Sequence, residues 1–357
     1  MEEKLEKLPV SFFKDIYMMK NDSNEFWIYT DDYHQEELHI NVHNKQKFLK
    51  HYTNYFEYPI KDLIIINDKT ILFLFIKESK VTLKIIESKK ILNNDKKKFD
   101  ININDKDFIS IFNFDLLNYN NSNRECYKIL FNEEGNKLIL LTYGIIYILD
   151  YNKENYKFQL MSNFTYNIPI NTLLLFSKNI IYAFTKFNFF ILDTIKNQIL
   201  KEISYCDQKE DVYFHNIMCF SKSKKYLAYA CKVNSIYIFD TVKLTKKECY
   251  NLKSEIKTNI KEDENEGNKS KPTVYYISGI IPFKDYFLFS KVKEVTVRRA
   301  TNRGPKVSVE TSFVDLRIKE NKNDLKFLEC EEIYREKVNR LKVFSIGGKA
   351  YYGDTKY

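Results

Sequence analysis

The sequence predicts an all-β protein: a single β-propeller over residues 1–357, with six or seven four-stranded blades closed by strands from both chain ends. Three observations carry this prediction. A strand-rich segment recurs about every 44 residues, β-branched and aromatic residues concentrate inside it, and polar turns separate its apolar runs. Three copies align: residues 129–150 (ILFNEEGNKLILLTYGIIYILD), 173–193 (LLLFSKNIIYAFTKFNFFILD) and 217–240 (IMCFSKSKKYLAYACKVNSIYIFD). Each reads strand, turn, strand, turn, strand, and the third strand ends on an aromatic, two apolar residues and Asp, at Asp150, Asp193 and Asp240.

Residues 63–87 and 277–299 read as weaker copies of three strands each. Strict alternation is blurred in all of them, as expected for strands buried on both faces between neighbouring sheets. Residues 25–42 read as two strands lacking predecessors and residues 340–354 as two lacking successors. Joined, they complete one blade and remove exposed sheet edges. Residues 89–123 form an insertion or an incomplete blade, with an apolar island, FISIFNF, at 108–114, while residues 253–271 are almost free of apolar side chains and read as a mobile charged insertion. Little helix is expected beyond the first dozen residues.

Composition excludes several classes. Apolar residues make up 44% of the chain, enough for a core and against general disorder. The abundance of Lys, Asn, Ile, Tyr and Phe matches an AT-rich genome, so the net charge of +9 is weak evidence for a polyanion partner. The N-terminus has acidic residues at once and no apolar signal region, and the longest apolar stretch, residues 138–149, is too short for a spanning helix of roughly 20 residues. A cytoplasmic or nuclear protein is expected. Cys126, Cys206, Cys219, Cys231, Cys249 and Cys330 include no CxxC pair and read as reduced, packed thiols.

Nothing in the chain nominates catalysis, a cofactor or a metal. His39 and His43 share one face of a strand but stand about 13 Å apart by extended-chain rise, too far to share one zinc ion. Adjacent acids such as Asp31 with Asp32 and Glu36 with Glu37 point to opposite faces of a strand and make a poor acid/base couple. Phosphate-cradling glycine loops and a nucleophile elbow are absent, and Gly347, Gly348 and Lys349 read as a tight turn.

One segment stands out in charge. Residues 291–306 (KVKEVTVRRATNRGPK) hold six basic residues, Lys291, Lys293, Arg298, Arg299, Arg303 and Lys306, against one acid. Only Arg124 of the seven arginines lies before residue 298. Guanidinium groups bind phosphate and carboxylate bidentately, so their concentration here points to a polyanion or an acidic protein segment. The plainer reading is a solvated hairpin. Alternation places Thr296 with Arg298 on one face and Val295 with Val297 on the other, and no aromatic residue is interleaved for base stacking.

The endings YILD at Asp150, FILD at Asp193 and YIFD at Asp240 resemble the strand ends of WD40 repeats, in which an aromatic–Asp pair closes the third strand. No Trp precedes these Asp residues and no Gly-His dipeptide opens a blade, so the family's buried hydrogen-bond network is not implied. Residues 213–299 are similar to the non-catalytic WD40 subunit of tRNA guanine-N7 methyltransferase. Phosphoinositide-binding propellers are resembled less, because their paired arginines are followed by Gly and Arg298–Arg299 by Ala300. The expected function is a non-enzymatic scaffold for protein–protein interaction in an intracellular complex. The alternatives are an RNA-linked accessory subunit using the arginine cluster and a phosphoinositide-binding propeller. No homo-oligomer is expected.

Overall fold

Strands of two to twelve residues form between polar turns, the inner ones as apolar runs. The computed structural model describes residues 6–7, 13–20, 24–31, 36–44, 47–66, 70–77, 80–92, 103, 109–115, 127–134, 136–142, 144–152, 154–155, 157–168, 170–185, 188–204, 217–231, 235–251, 273–283, 286–297, 306–316, 318–321, 324–327, 331–337, 341–346 and 349–354. A short strand β1 (Glu6–Lys7) comes first. The first blade is β2 (Phe13–Lys20), β3 (Glu25–Asp31), β4 (Glu37–Asn44) and β5 (Lys47–Tyr55). The second is β6 (Ile60–Ile66), β7 (Thr70–Lys77), β8 (Lys80–Glu87) and, after a helical turn α1 (Lys89–Leu92), β9 (Ile109–Asp115). The third is β10 (Tyr127–Asn132), β11 (Lys137–Thr142), β12 (Ile145–Asn152) and β13 (Lys157–Phe164). The fourth is β14 (Thr172–Leu175), β15 (Ile180–Phe184), β16 (Asn188–Asp193) and β17 (Gln198–Ser204). The fifth is β18 (Met218–Phe220), β19 (Tyr226–Cys231), β20 (Ser235–Asp240) and β21 (Thr245–Asn251). The sixth begins with β22 (Thr273–Phe283), β23 (Tyr286–Val297) and β24 (Lys306–Leu316). A hairpin of β25 (Ile318–Asn321) and β26 (Asp324–Phe327) precedes its fourth strand, β27 (Glu331–Lys337). The chain ends in a hairpin of β28 (Leu341–Ile346) and β29 (Lys349–Asp354).

Each blade is an antiparallel meander with its strands in sequence order, the repeating unit of a β-propeller. The chain divides into two compact units, Phe13–Asp207 with the first four blades, and Met1–Phe12 with Gln208–Tyr357 holding the rest. Within the first unit, alternation on a middle strand feeds two cores at once. On β7, Ile71, Phe73 and Phe75 pack with Phe26, Ile28, Leu38 and Ile40 of the first blade. Leu72, Leu74 and Ile76 pack with Ile129, Leu138, Leu140 and Leu149 of the third. The third blade's other face, Ile139, Leu141, Ile146 and Ile148, packs on Leu173, Ile181, Ala183, Phe190 and Leu192 of the fourth. Burial on both faces explains the near-continuous apolar runs. In the second unit Ala228, Ile236 and Ile238 pack on Ile277, Ile280, Phe287 and Phe289. Leu288 and Phe313 pack on Val343, Ala350 and Tyr352 of the terminal hairpin.

Buried polar groups tie blades together. Asp62, on β6, accepts from its neighbour's amide, Leu63 N (3.0 Å), and across the blade boundary from Ile129 N (2.7 Å). Asn132 Nδ2 donates to the Lys178 carbonyl, joining the third blade to the fourth. Ile103 N donates to Asn54 Oδ1 (2.7 Å), and Ile103 and Ile91 join the core of the first two blades.

Several expectations are corrected. Residues 25–42 do not complete a blade with the C-terminal hairpin. They are β3 and β4 of a full first blade, whose flanking strands KDIYMMK and FLKHYTN mix Lys and His with apolar residues and so hide their strand character. The hairpin instead pairs in parallel with β1, Glu6 opposite Tyr351 and Lys7 opposite Tyr352, in a three-stranded sheet uniting both chain ends. Residues 277–299 hold two strands rather than three, because no turn residue interrupts Tyr286–Val297. FISIFNF lies at the fourth strand of the second blade. Residues 253–271 lie outside the described residues.

Candidate binding surfaces

Each blade presents two ends and one free edge, and the local sequence decides what each displays. At one end the turn between first and second strands meets the turn between third and fourth. In the fourth blade Asp193 Oδ1 accepts from Ile195 N (2.9 Å) and Lys196 N (3.1 Å), while Thr194 N donates to the Asn179 carbonyl (2.8 Å). The fifth repeats this. Asp240 Oδ1 accepts from Val242 N (2.9 Å) and Lys243 N (2.8 Å), and Thr241 N donates to the Lys225 carbonyl (2.9 Å). In the third blade Tyr151 N donates to the Asn136 carbonyl (2.8 Å), but β12 runs two residues past Asp150. There Asn152 Oδ1 takes Glu154 N (2.9 Å) and Asn155 N (3.4 Å), leaving Asp150 opposite Lys137 at 4.0 Å. Asp193 and Asp240 therefore build turns by satisfying backbone donors that the strand end leaves open.

The free edge is the fourth strand, and it carries a feature missed in the sequence. In all six blades the pairing of third and fourth strands slips by one residue, leaving a β-bulge on the outer strand. The extra residues are Leu49, Ile111, Met161, Leu200, Cys249 and Ile333. Apolar residues are 44% of the chain, yet every one of these six is apolar. Leu49 is 43% exposed, Met161 54% and Leu200 51%. A bulge interrupts the row of edge N–H and C=O groups, so it opposes strand addition while aiming a side chain outward.

The basic segment is only partly described. Lys291 and Lys293 lie on β23, half-buried and on one face, opposite Ser312 and Glu310 of β24. Glu294 lies on the other face, where Tyr276 OH donates to it (2.8 Å). Lys306 opens β24 opposite Val297. Arg298, Arg299 and Arg303 lie outside the described residues. Among the described strands β22, β23 and β24 are the longest, and β27 pairs with β24 only over Glu310–Asp315. The last residues of β23 and first of β24 thus extend beyond the fourth strand.

The first blade carries a polar and aromatic face that is buried at Trp27, Tyr29, Asn41 and His43 and reaches solvent at His51. His43 stacks on Trp27 with ring centres 4.0 Å apart and meets Phe48 edge-on. His39 stacks between Tyr29 and His51. His51 Nδ1 lies 2.6 Å from Asn41 Oδ1, and its Nε2 lies 3.0 Å from Thr53 Oγ1. Burial lowers the His43 pKa below the usual imidazole value against the opposing pull of Glu25, and burial lowers that of His51 too. His39 and His43 do share a strand face, each engaged by its own aromatic partner. Burial likewise pushes the Cys219 thiol up, away from reactive thiolate.

No protein-family model and no curated protein matches the chain. Among solved structures it is similar to Kluyveromyces lactis Hsv2, with 12% identity, 90% of this chain and 87% of that one covered, and a TM-score of 0.46. It is similar to the WD40 domain of Toxoplasma gondii coronin, with 9% identity, coverage of 92% and 78%, and a TM-score of 0.47. Dihydro-heme d1 dehydrogenase NirN matches at 12% identity over 68% of this chain and 48% of that one, with a TM-score of 0.44. Among the described residues the six four-stranded antiparallel meanders are the blades of a β-propeller fold, and three of them carry the ending of an aromatic, two apolar residues and Asp. No helix among the described residues is long and apolar enough to cross a membrane.

Proposed function

We propose that this propeller is a non-enzymatic scaffold that holds other proteins in an intracellular complex, using the outer strands of its blades. The observation that carries the reading is the exposed apolar residue at the outer-strand bulge. Leu49, Met161 and Leu200 repeat one device on three blades, on edges where the backbone is dislocated and side chains are left to make contact. The test is affinity purification from the native cell, with proteins and RNA both identified, using wild type and a Leu49→Ser, Met161→Ser, Leu200→Ser variant. Proteins retained by wild type and lost from the variant, at an equal urea midpoint, support the reading. An identical protein set on both sinks it.

A second reading has its own support. The basic segment 291–306 joins strands that extend beyond the fourth strand of their blade, a placement suited to a polyanion such as RNA. Replacing Arg298, Arg299 and Arg303 with Ala should then flatten the salt dependence of RNA binding by about 0.7 to 0.9 log units per lost phosphate contact, with little change in stability. A large loss of stability with unchanged binding identifies the arginines as structural instead.

A further inference from the structure

The turn-bearing ends of the third, fourth and fifth blades form an internal control for charge, since one lysine-rich composition supplies all three. At the third blade's end the exposed charges are Glu133, Glu134, Glu154 and Lys157, three acids against one base. At the fourth the exposed charges are Lys178 and Lys196. At the fifth they are Lys222, Lys224, Lys243 and Lys246, and Lys225 lies 5.4 Å over the Tyr226 ring. The two turns, residues 221–225 and 240–244, contain a single carboxylate, Asp240, which is 1% exposed and holds two backbone amides. Compositional bias loads equivalent ends alike, so the basic end of the fifth blade is a property of that site.

Chemistry narrows the ligand. The tip of this basic end is Val242, 74% exposed and directly followed by Lys243. Neither turn contains arginine, which planar, bidentate phosphate recognition favours. Neither offers an exposed aromatic ring for base stacking, since Tyr226 is buried among the described residues. An exposed aliphatic side chain on turns that also expose compact ammonium charges suits a laterally fluid anionic surface with an apolar interior. We propose that this end of the fifth blade is a peripheral contact for an anionic lipid bilayer. Val242 enters the headgroup layer, and Lys222, Lys224, Lys243 and Lys246 meet the lipid charges. The contact is separate from the outer strands used in the protein-partner reading. It also differs from the basic segment of the sixth blade, which joins second to third strand at the opposite end of its own meander.

The experiment is co-sedimentation of the full chain with phosphatidylcholine vesicles, with and without about one-third phosphatidylserine. Wild type should bind only the phosphatidylserine vesicles, and less so as salt rises. Each lysine near such a surface strengthens binding by about five-fold. Changing Lys222, Lys243 and Lys246 together to Gln should therefore weaken binding by about a hundredfold, and changing them to Glu by more. Lys224 has a φ of 58° and Lys225 covers Tyr226, so both are left unchanged. Val242→Ser should weaken binding several-fold with the salt dependence unaltered. A urea midpoint for each variant separates lost binding from lost folding. No wild-type binding to phosphatidylserine vesicles, or full binding by a folded Gln variant, overturns the proposal. So does unchanged vesicle binding by Val242→Ser combined with displacement of the vesicles by poly(A) RNA, which reassigns the patch to nucleic acid.

Discussion

The turns closing the fourth and fifth blades, DTIKN at residues 193–197 and DTVKL at 240–244, share one backbone but not one set of side chains. Both use Asp to accept two amides and Thr to tie the turn to the blade's first hairpin. Both place their fifth residue in the left-handed region, Asn197 at φ 51° and Leu244 at φ 55°. Asn tolerates that conformation, whereas the Leu Cβ meets the following carbonyl oxygen at a cost of about 1–2 kcal/mol. The Asp–Thr frame therefore dictates the turn, and the last residue conforms whether or not it suits.

Removing the frame breaks the comparison most strongly. Asp240 is buried and Asp193 half-buried, so losing the carboxylate strands two amides away from water in one case and near water in the other. Asp240→Ala should cost about 2–3 kcal/mol and Asp193→Ala about 1 kcal/mol. Urea midpoints with unchanged slopes measure both, and equal losses would show that burial does not distinguish the turns.

Acid separates these turns from the first blade, where burial holds neutral imidazole in place of a hydrogen-bonded carboxylate. His43 and His51 have folded-state pKa values below 6.5, so the unfolded chain takes up protons first. The stabilising effect of buried His43 is complete above about pH 6.5 and is lost as pH falls from there toward its folded value, by up to about 1.4 kcal/mol per pH unit, whereas that of exposed His51 has the same sign and is screened by solvent. The charged groups around them are Glu25, itself paired with Lys20 at 2.8 Å, and Glu37, 3.3 Å from His39. A His43→Phe variant should lose less stability than wild type between pH 7 and 5.5. An identical loss would place the acid sensitivity elsewhere.

How much of this was legible in the sequence depends on where a strand sits. The middle strands of the third, fourth and fifth blades were readable because packing on both faces demands continuous apolar runs such as LILLT and IYAF. The outer strands were not. QILKEIS and KFQLMSNF expose most of their side chains, so selection for apolar character acts there on few positions. The sixth blade's shorter ending, FVD at Asp315, was missed because the connections 252–272 and 298–305 and the longer strands place it 75 residues after Asp240 instead of about 44. Among the candidate site residues, Asp193 and Asp240 were found by pattern yet serve turns. The bulge residues Leu49, Met161 and Leu200 have no motif at all, since a bulge is defined by cross-strand register and register is set by the partner strand.

The fifth residue of each turn gives a smaller effect of opposite sign. Leu244→Asn should gain about 0.5–1 kcal/mol, the relief of the Cβ contact being reduced by loss of the half-buried side chain, while Asn197→Leu should lose about 1 kcal/mol. Denaturant midpoints of the two single variants test this, and a loss in both would mean that Leu244 packing outweighs its backbone strain.

The smallest effect comes from the third blade, where the aspartate of the repeat ending no longer caps the turn. Asp150 is half exposed and its approach to Lys137 is 4.0 Å, a surface pair worth at most a few tenths of a kcal/mol. Asn152, two residues later, accepts the amides of Glu154 and Asn155 as Asp193 and Asp240 do in their own turns. Asp150→Ala should therefore change stability by less than about 0.5 kcal/mol, and Asn152→Ala should cost about 1 kcal/mol, typical of a lost side-chain cap. If Asp150→Ala instead proves the more damaging, the cap has not moved and the two-residue extension of β12 carries no energetic weight. The expected order means that the aromatic–apolar–apolar–Asp ending marks where a third strand stops pairing, while the side chain that closes the turn is whichever Asp or Asn stands just before it.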